Sequence, residues 1–186
     1  MRDVMFEIEI MGRCDHPNLV KLRGILFEES GDGLVFPALL MEAADNRCPD
    51  LEAWCKGHAA PSSAVIGNLA RGIAEGLDVL HSMGVVHADL KPSNVLMFRR
   101  GHDWQPKLAD FGLSGISVSA DAPRGGSRRW NAPECLPDAP PDLRAHSIQP
   151  CRDIYAFGLL FVYLLLQGCE LFEKYDGDVD AVKLND

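Results

Sequence analysis

The sequence predicts an α+β domain of two unequal parts, and three observations carry that expectation. Two apolar, strand-like runs, Leu19 to Phe27 and Leu34 to Met41, flank Gly31-Asp32-Gly33, which is hairpin turn chemistry. From Ser62 to Met83 the residues Ile66, Leu69, Ile73, Leu77 and Leu80 recur at steps of three and four, the period of one helix face. Ile154 to Leu166 is almost wholly apolar. A chain of 186 residues buries one good core, so a single domain is expected.

Each element has its own local reason. Phe6 to Met11 reads as helix, because Phe6 and Ile10, and Ile8 and Met11, fall on shared faces, and the run stops before His16-Pro17-Asn18. The Gly31 and Gly33 pair is not a phosphate-cradling loop, since the place of a third glycine holds Phe36 and a strand follows instead of a helix. Ser62 or Ser63 caps the long helix and Gly84 ends it. Ile154 to Leu166 is too short for a membrane span, which needs about 20 apolar residues, and Gln167-Gly168 interrupts it. A helix buried on all sides is expected there. Pro137 to Pro150 reads as an irregular excursion, and no internal repeat is present.

Composition narrows the class. The net charge of −9, without a basic patch, argues against nucleic acid as a partner. The charged N-terminus has no signal-type apolar stretch, and six irregularly spaced cysteines with no Cys-x-x-Cys suit reduced thiols in a cytoplasmic or nuclear setting. Cys48, Cys55 and His58 lack an apparent fourth ligand, so a metal site there is not expected.

Three short motifs follow one another. His87-Ala88-Asp89-Leu90-Lys91-Pro92-Ser93-Asn94 comes after the apolar pair Val85-Val86; Asp110-Phe111-Gly112 begins 21 positions after Asp89; Ala132-Pro133-Glu134 begins 22 positions after Asp110. Any one alone reads as a solvated turn or a helix cap. Their order and separation together resemble the eukaryotic protein kinase family, and Lys91, two positions after Asp89, resembles its Ser/Thr-directed members.

That resemblance implies a protein-kinase-like fold: a partial small lobe of one helix plus antiparallel strands over residues 1–41, a hinge at 42–45, and a mostly helical partial large lobe over 46–186. It implies transfer of the ATP γ-phosphoryl group to Ser/Thr of protein substrates, with ATP and Mg²⁺. Asp89 and Lys91 are then catalytic, and Asn94 and Asp110 are the oxygen ligands of Mg²⁺. Glu42, Ala44, Lys91, Asn94, Leu96 and Asp110 fall at nucleotide-contacting places, with Met41 at the back of the pocket. Glu7 takes the place of an ion-pairing glutamate, and Met11, Leu22, His87 and Phe111 that of a spine joining the lobes. Gly112 completes the second motif, Ser127 braces Asp89 and Lys91, and Asp153, ahead of the apolar run, holds the backbone of the catalytic loop. The stretch Leu113 to Asn131 resembles an activation segment; Ser114, Ser117, Ser119 and Ser127 are hydroxyls available in it, none assigned as a modification site.

The chain also departs from the family. The strands bearing a glycine-rich flap and the lysine that pairs with Glu7 are not present ahead of it, nor is the later helix whose arginine pairs with Glu134. A domain truncated at both ends is therefore expected, impaired in transfer and with exposed apolar faces. Ala88 stands where many kinases carry Arg, so control of the catalytic loop by an activation-segment phosphate is not expected. A non-catalytic, pseudokinase-like interaction module and a small-molecule phosphotransferase are the alternatives.

Overall fold

A computed structural model describes residues 2–29, 31–58, 60–116, 126–144, 147, 149–172 and 179–185. Ser117 and Ser119 of the expected activation segment lie outside the described residues. Helix α1 (Arg2–Arg13) extends the expected run at both ends, and its apolar face buries Ile10 and Met11. Strands β1 (Leu22–Glu29) and β2 (Val35–Met41) form the antiparallel hairpin, in register from Leu22 opposite Met41 to Glu29 opposite Val35.

The first apolar run does not enter the hairpin whole. Leu19 and Val20 are buried and pair with Leu108 instead, Val20 N–H donating to its carbonyl at 2.9 Å and Leu108 N–H to Asn18 O at 2.8 Å. Hydropathy cannot distinguish these partners, because both bury the same side chains. The hairpin itself leaves Leu26, Phe27, Val35 and Phe36 exposed, Phe27 at 73%.

Helix α2 (Leu51–Gly57) starts at Asp50, whose carboxylate accepts the Ala53 N–H. Helix α3 (Ser63–Ser82) is capped by Ser62 and buries Ile66, Leu69, Ile73, Leu77 and Leu80. One apolar core runs from α1 through α2 and α3 to the hairpin formed by β4 (Val95–Arg100) and β5 (Asp103–Leu108). Gly76 lets that hairpin seat on α3, since a Cβ there would lie 2.9 Å from Asn18 O and 3.1 Å from Leu108 Cδ1.

Two short strands, β3 (Val85–Val86) and β6 (Gly115–Ile116), pair antiparallel and tie the loops around His87 and Asp110 to each other. The proline-rich excursion holds one helical turn, α4 (Pro141–Arg144). Helix α5 (Cys151–Leu165) corrects the expectation of burial on all sides. It buries Arg152, Asp153, Ala156, Leu160, Tyr163 and Leu164, while Ile154, Phe161 and Leu165 are exposed. Those three fall on one stripe that no described element covers, because α5 meets the core with a single face. Helix α6 (Val179–Asn185) follows. All six cysteines are free thiols, and among the described residues no helix is long and apolar enough to cross a membrane.

Candidate active site

The loop from His87 to Asn94 is almost entirely buried, so its backbone must be paired with protein groups instead of water. Asp153, in the first turn of α5, does this from below. Its Oδ2 accepts the His87 N–H at 2.8 Å and its Oδ1 the Ala88 N–H at 2.9 Å, while His81 Nε2 lies 2.8 Å from Oδ2. The grip matters because Ala88 sits at φ +69°, a left-handed conformation costly for a residue with a Cβ. Burial pushes the Asp153 carboxyl up, but the hydrogen bond from His81, the charge of His87 and the two backbone N–H groups outweigh it and hold the group below the usual carboxylate range. Arg152 donates to the Ala88 carbonyl at 3.0 Å, fixing the same residue at its other end.

On the opposite side of the loop, three residues close a ring of hydrogen bonds. Lys91 Nζ donates to Asp89 Oδ2 at 2.7 Å and to Ser127 Oγ at 2.9 Å, and the Ser127 N–H donates to Asp89 Oδ1 at 2.8 Å. Asn94 Nδ2 donates to Asp89 O at 2.9 Å and Oδ2 at 3.0 Å, which points the amide oxygen away from Asp89. Gly126 permits the approach of Ser127. At φ +127° it packs where a Cβ would lie 2.8 Å from Ala88 O and 2.3 Å from Asn131 Oδ1.

Asp110 follows β5, and its neighbour Ala109 is tied to the loop of His87 to Asn94. Ala109 N–H donates to Asn94 O at 3.0 Å, and the Ala109 carbonyl lies 3.1 Å from His87 Nε2. Asp110 follows in a left-handed conformation, φ +64°, with its carboxylate exposed; a Cβ at Gly112 would stand at ordinary contact, 3.4 Å, from Asp110 Oδ1. Phe111 is buried against the His87 ring at 5.5 Å between centroids. Met11 shares its apolar core, with Leu22 packed on the edge. Glu7 accepts the Phe111 N–H at 3.3 Å. Burial raises its carboxyl above the usual range, the Phe111 N–H opposes this, and the nearby Asp110 charge adds to it.

The expected hinge is pinned from both sides. Glu42 Oε1 receives the Lys21 N–H at 2.9 Å and Lys107 Nζ at 2.6 Å, while the Glu42 N–H donates to Lys21 O at 3.0 Å. Ala44 and Leu96 are half-buried nearby in sequence and strand order, Leu96 facing Lys107 across β4 and β5 and bridging to Asp50. Met41 pairs with Leu22 and is exposed. Glu134 Oε1 lies 3.5 Å from the Cys151 thiol, a weak donor that sequence reading did not suggest. Beside the ring of Asp89, Lys91 and Ser127 opens a cleft of about 450 Å³, lined by Lys91, Ser93, Ser127, Arg128, Trp130 and Glu170.

Asp89, Lys91, Asn94 and Ser127 are thus joined directly, Asp110 and His87 through Ala109, and Glu7 through Phe111. Glu42, Ala44 and Leu96 lie on the side of the expected hinge; Glu134 meets Cys151, and Asp153 meets His87. Sequence reading passed over His81, Arg152 and Lys107. Their partners lie 72, 64 and 65 positions away, and a single His, Arg or Lys on an amphipathic element carries no local sign of such a contact.

The chain is similar to known proteins. The chain is 32% identical over 166 residues to serine/threonine-protein kinase PkaA of Streptomyces coelicolor, a match covering 87% of this chain and 28% of that protein. It is 33% identical over 180 residues to an inactive leucine-rich repeat receptor-like serine/threonine-protein kinase of Arabidopsis thaliana, covering 94% of this chain and 26% of that protein. In fold it is similar to a chain of the yeast RNA Pol II CTD kinase CTDK-1 complex, with a TM-score of 0.75 at 23% identity, over 99% of this chain and 55% of that one. The model of the protein kinase domain matches residues 1–185, and the chain belongs to that family.

Proposed function

We propose that this chain carries the phosphoryl-transfer site of a serine/threonine protein kinase, moving the γ-phosphoryl group of ATP to a Ser or Thr hydroxyl of a protein. The hydrogen-bonded ring of Asp89, Lys91 and Ser127, with Asn94 anchored on Asp89, carries this reading. A substrate hydroxyl reaching this ring is oriented by Asp89, which takes its proton as the oxygen–phosphorus bond forms and the bond to ADP breaks. Lys91 places a cation beside the transferred group.

The donor set fits Mg²⁺. Asn94 turns its Nδ2 to Asp89 and leaves its amide oxygen for a ligand, and Asp110 offers an exposed carboxylate. Bound there, Mg²⁺ supplies neutralisation of phosphate charge. The net charge of −9 and the free thiols favour protein partners in a reducing, intracellular setting.

Transfer by the 186-residue chain itself is expected to be slow. The Glu7 carboxylate is taken up by Phe111 N–H, and among the described residues no lysine reaches it to hold the phosphates. That observation favours a second reading, a non-catalytic binding module. Purified chain incubated with Mg²⁺, labelled ATP and a generic protein substrate separates the two. Weak transfer lost in Asp89→Asn, with a nucleotide-induced rise in melting temperature lost in Asp110→Asn, supports the kinase reading; a Mg²⁺-ATP shift without any transfer supports the second. Robust transfer that survives Asp89→Asn refutes the assignment of Asp89.

A further inference from the structure

The segment after Ser127 is held by a helix distant in sequence. Lys183, on α6, is buried, and its Nζ donates to three backbone carbonyls: Arg128 O at 2.9 Å, Arg129 O at 2.9 Å and Asn131 O at 2.8 Å. One turn earlier, Asp180 is also buried and pairs with the Arg128 guanidinium. Thus α6 grips the segment by its main chain and by one side chain. An ammonium has three N–H donors and here spends them on three acceptors. The gripped residues adjoin Ser127, and Trp130 and Asn131 N–H both return to Ser127 O, at 2.8 and 3.0 Å.

We propose that Lys183 is a positioning residue: from α6 it fixes the backbone of residues 128–131 and thereby keeps Ser127 against Asp89 and Lys91. The functional meaning rests on the kinase reading above; the mechanical claim does not. Holding the segment by carbonyls makes the contact independent of which side chains the segment carries. Arg128, paired with Asp180, and Trp130 line the cleft beside Lys91.

The contact has a spectroscopic signature. Burial pushes Lys183 down to about 8, with Asp180 and the Cys135 thiol pulling the other way. Among the described residues, Tyr155, whose ring centroid lies 5.7 Å from Nζ, and Arg128, paired to Asp180, are the other titratable groups near it; Phe172 also faces Nζ, at 5.1 Å. Cys135 is pushed up to about 11 by burial and Tyr155 is raised, so neither titrates near 8. A neutral amine has two N–H groups and cannot serve three carbonyls.

Nitrogen-15 NMR of the 186-residue chain between pH 6.5 and 9.5 tests this without any need for catalysis. In the wild type, the amides of Arg129, Trp130 and Ala132, each following a gripped carbonyl, are expected to shift together with a midpoint near 8. Lys183→Arg keeps the Ser127 amide at its wild-type position and abolishes that titration; Lys183→Met abolishes it and displaces the Ser127 amide, which donates to Asp89. A Ser127 amide unmoved in Lys183→Met, or no wild-type titration near 8, overturns the proposal. Should Lys183→Met fail to fold, the wild-type and Lys183→Arg titrations still decide. Failure of the kinase reading alone leaves these shifts intact and appears only as absent transfer.

Discussion

Replacing Asp153 by Asn changes little in shape and much in hydrogen bonding. Three donors converge on the carboxylate: the His87 and Ala88 N–H groups and His81 Nε2. Asparagine offers one carbonyl oxygen and one NH₂, so one backbone N–H faces a donor whichever way the amide is turned. A hydrogen bond to a charged acceptor contributes about 1.5–3 kcal/mol, and a buried donor left unmet costs about 1–3 kcal/mol. The sum for Asp153→Asn is roughly 3–5 kcal/mol, in line with breaking a buried charge network. At about 2–4 °C per kcal/mol for a chain of this size, the melting temperature falls by roughly 10 °C. Urea unfolding followed by circular dichroism measures the loss directly as a lower midpoint at unchanged slope.

The pH dependence has a definite sign. The folded carboxyl of Asp153 lies below its ordinary value of 3.8, so its stabilisation is present above that pH and disappears as pH falls through the folded value. The gap between wild type and Asp153→Asn is therefore flat from about pH 5 upward and narrows in acid. A loss under about 1 kcal/mol, or a gap that does not narrow below pH 3.8, refutes the reasoning.

Two further perturbations follow from packing. Lys107→Met leaves Glu42 with a half-buried carboxylate and one backbone donor, and is expected to destabilise by about 3 kcal/mol in urea melts; adding Glu42→Leu recovers part of that, and strict additivity of the two refutes the coupling. Gly126→Ala places a methyl group against Ala88 O and Asn131 Oδ1 at a left-handed φ, costing about 2 kcal/mol and displacing the Ser127 amide resonance; an unaltered resonance refutes the role given to Gly126.

Much of the site was legible because the motif spacings encode short loops. Asp89, Lys91 and Asn94 lie within one turn of chain, and the pairing of Asp89 with Asn94 follows from that proximity. Ser127 is set beside them by family likeness alone; in the structure its Oγ accepts from Lys91 and its N–H donates to Asp89. The account of Ile154 to Leu166 failed in one respect. Hydropathy records how apolar a helix is, not how many neighbours reach it, and the stripe of Ile154, Phe161 and Leu165 stays exposed among the described residues. Leu19 and Val20 misled likewise, since an apolar pair beside a strand pattern is equally served by a different edge at Leu108.

Taken by itself, the order of residues determined the helices with a clear face and the hairpin, because periodicity and turn chemistry act within about a dozen positions, whereas the candidate phosphoryl-transfer residues came from family resemblance. The tertiary structure decided which charges are neutralised and by whom. Asp153 with His81, Glu42 with Lys107, and Lys183 with the carbonyls of residues 128–131 are each separated by more than 50 positions. Such pairings are selected by the requirement that buried polar groups find partners once the chain has closed.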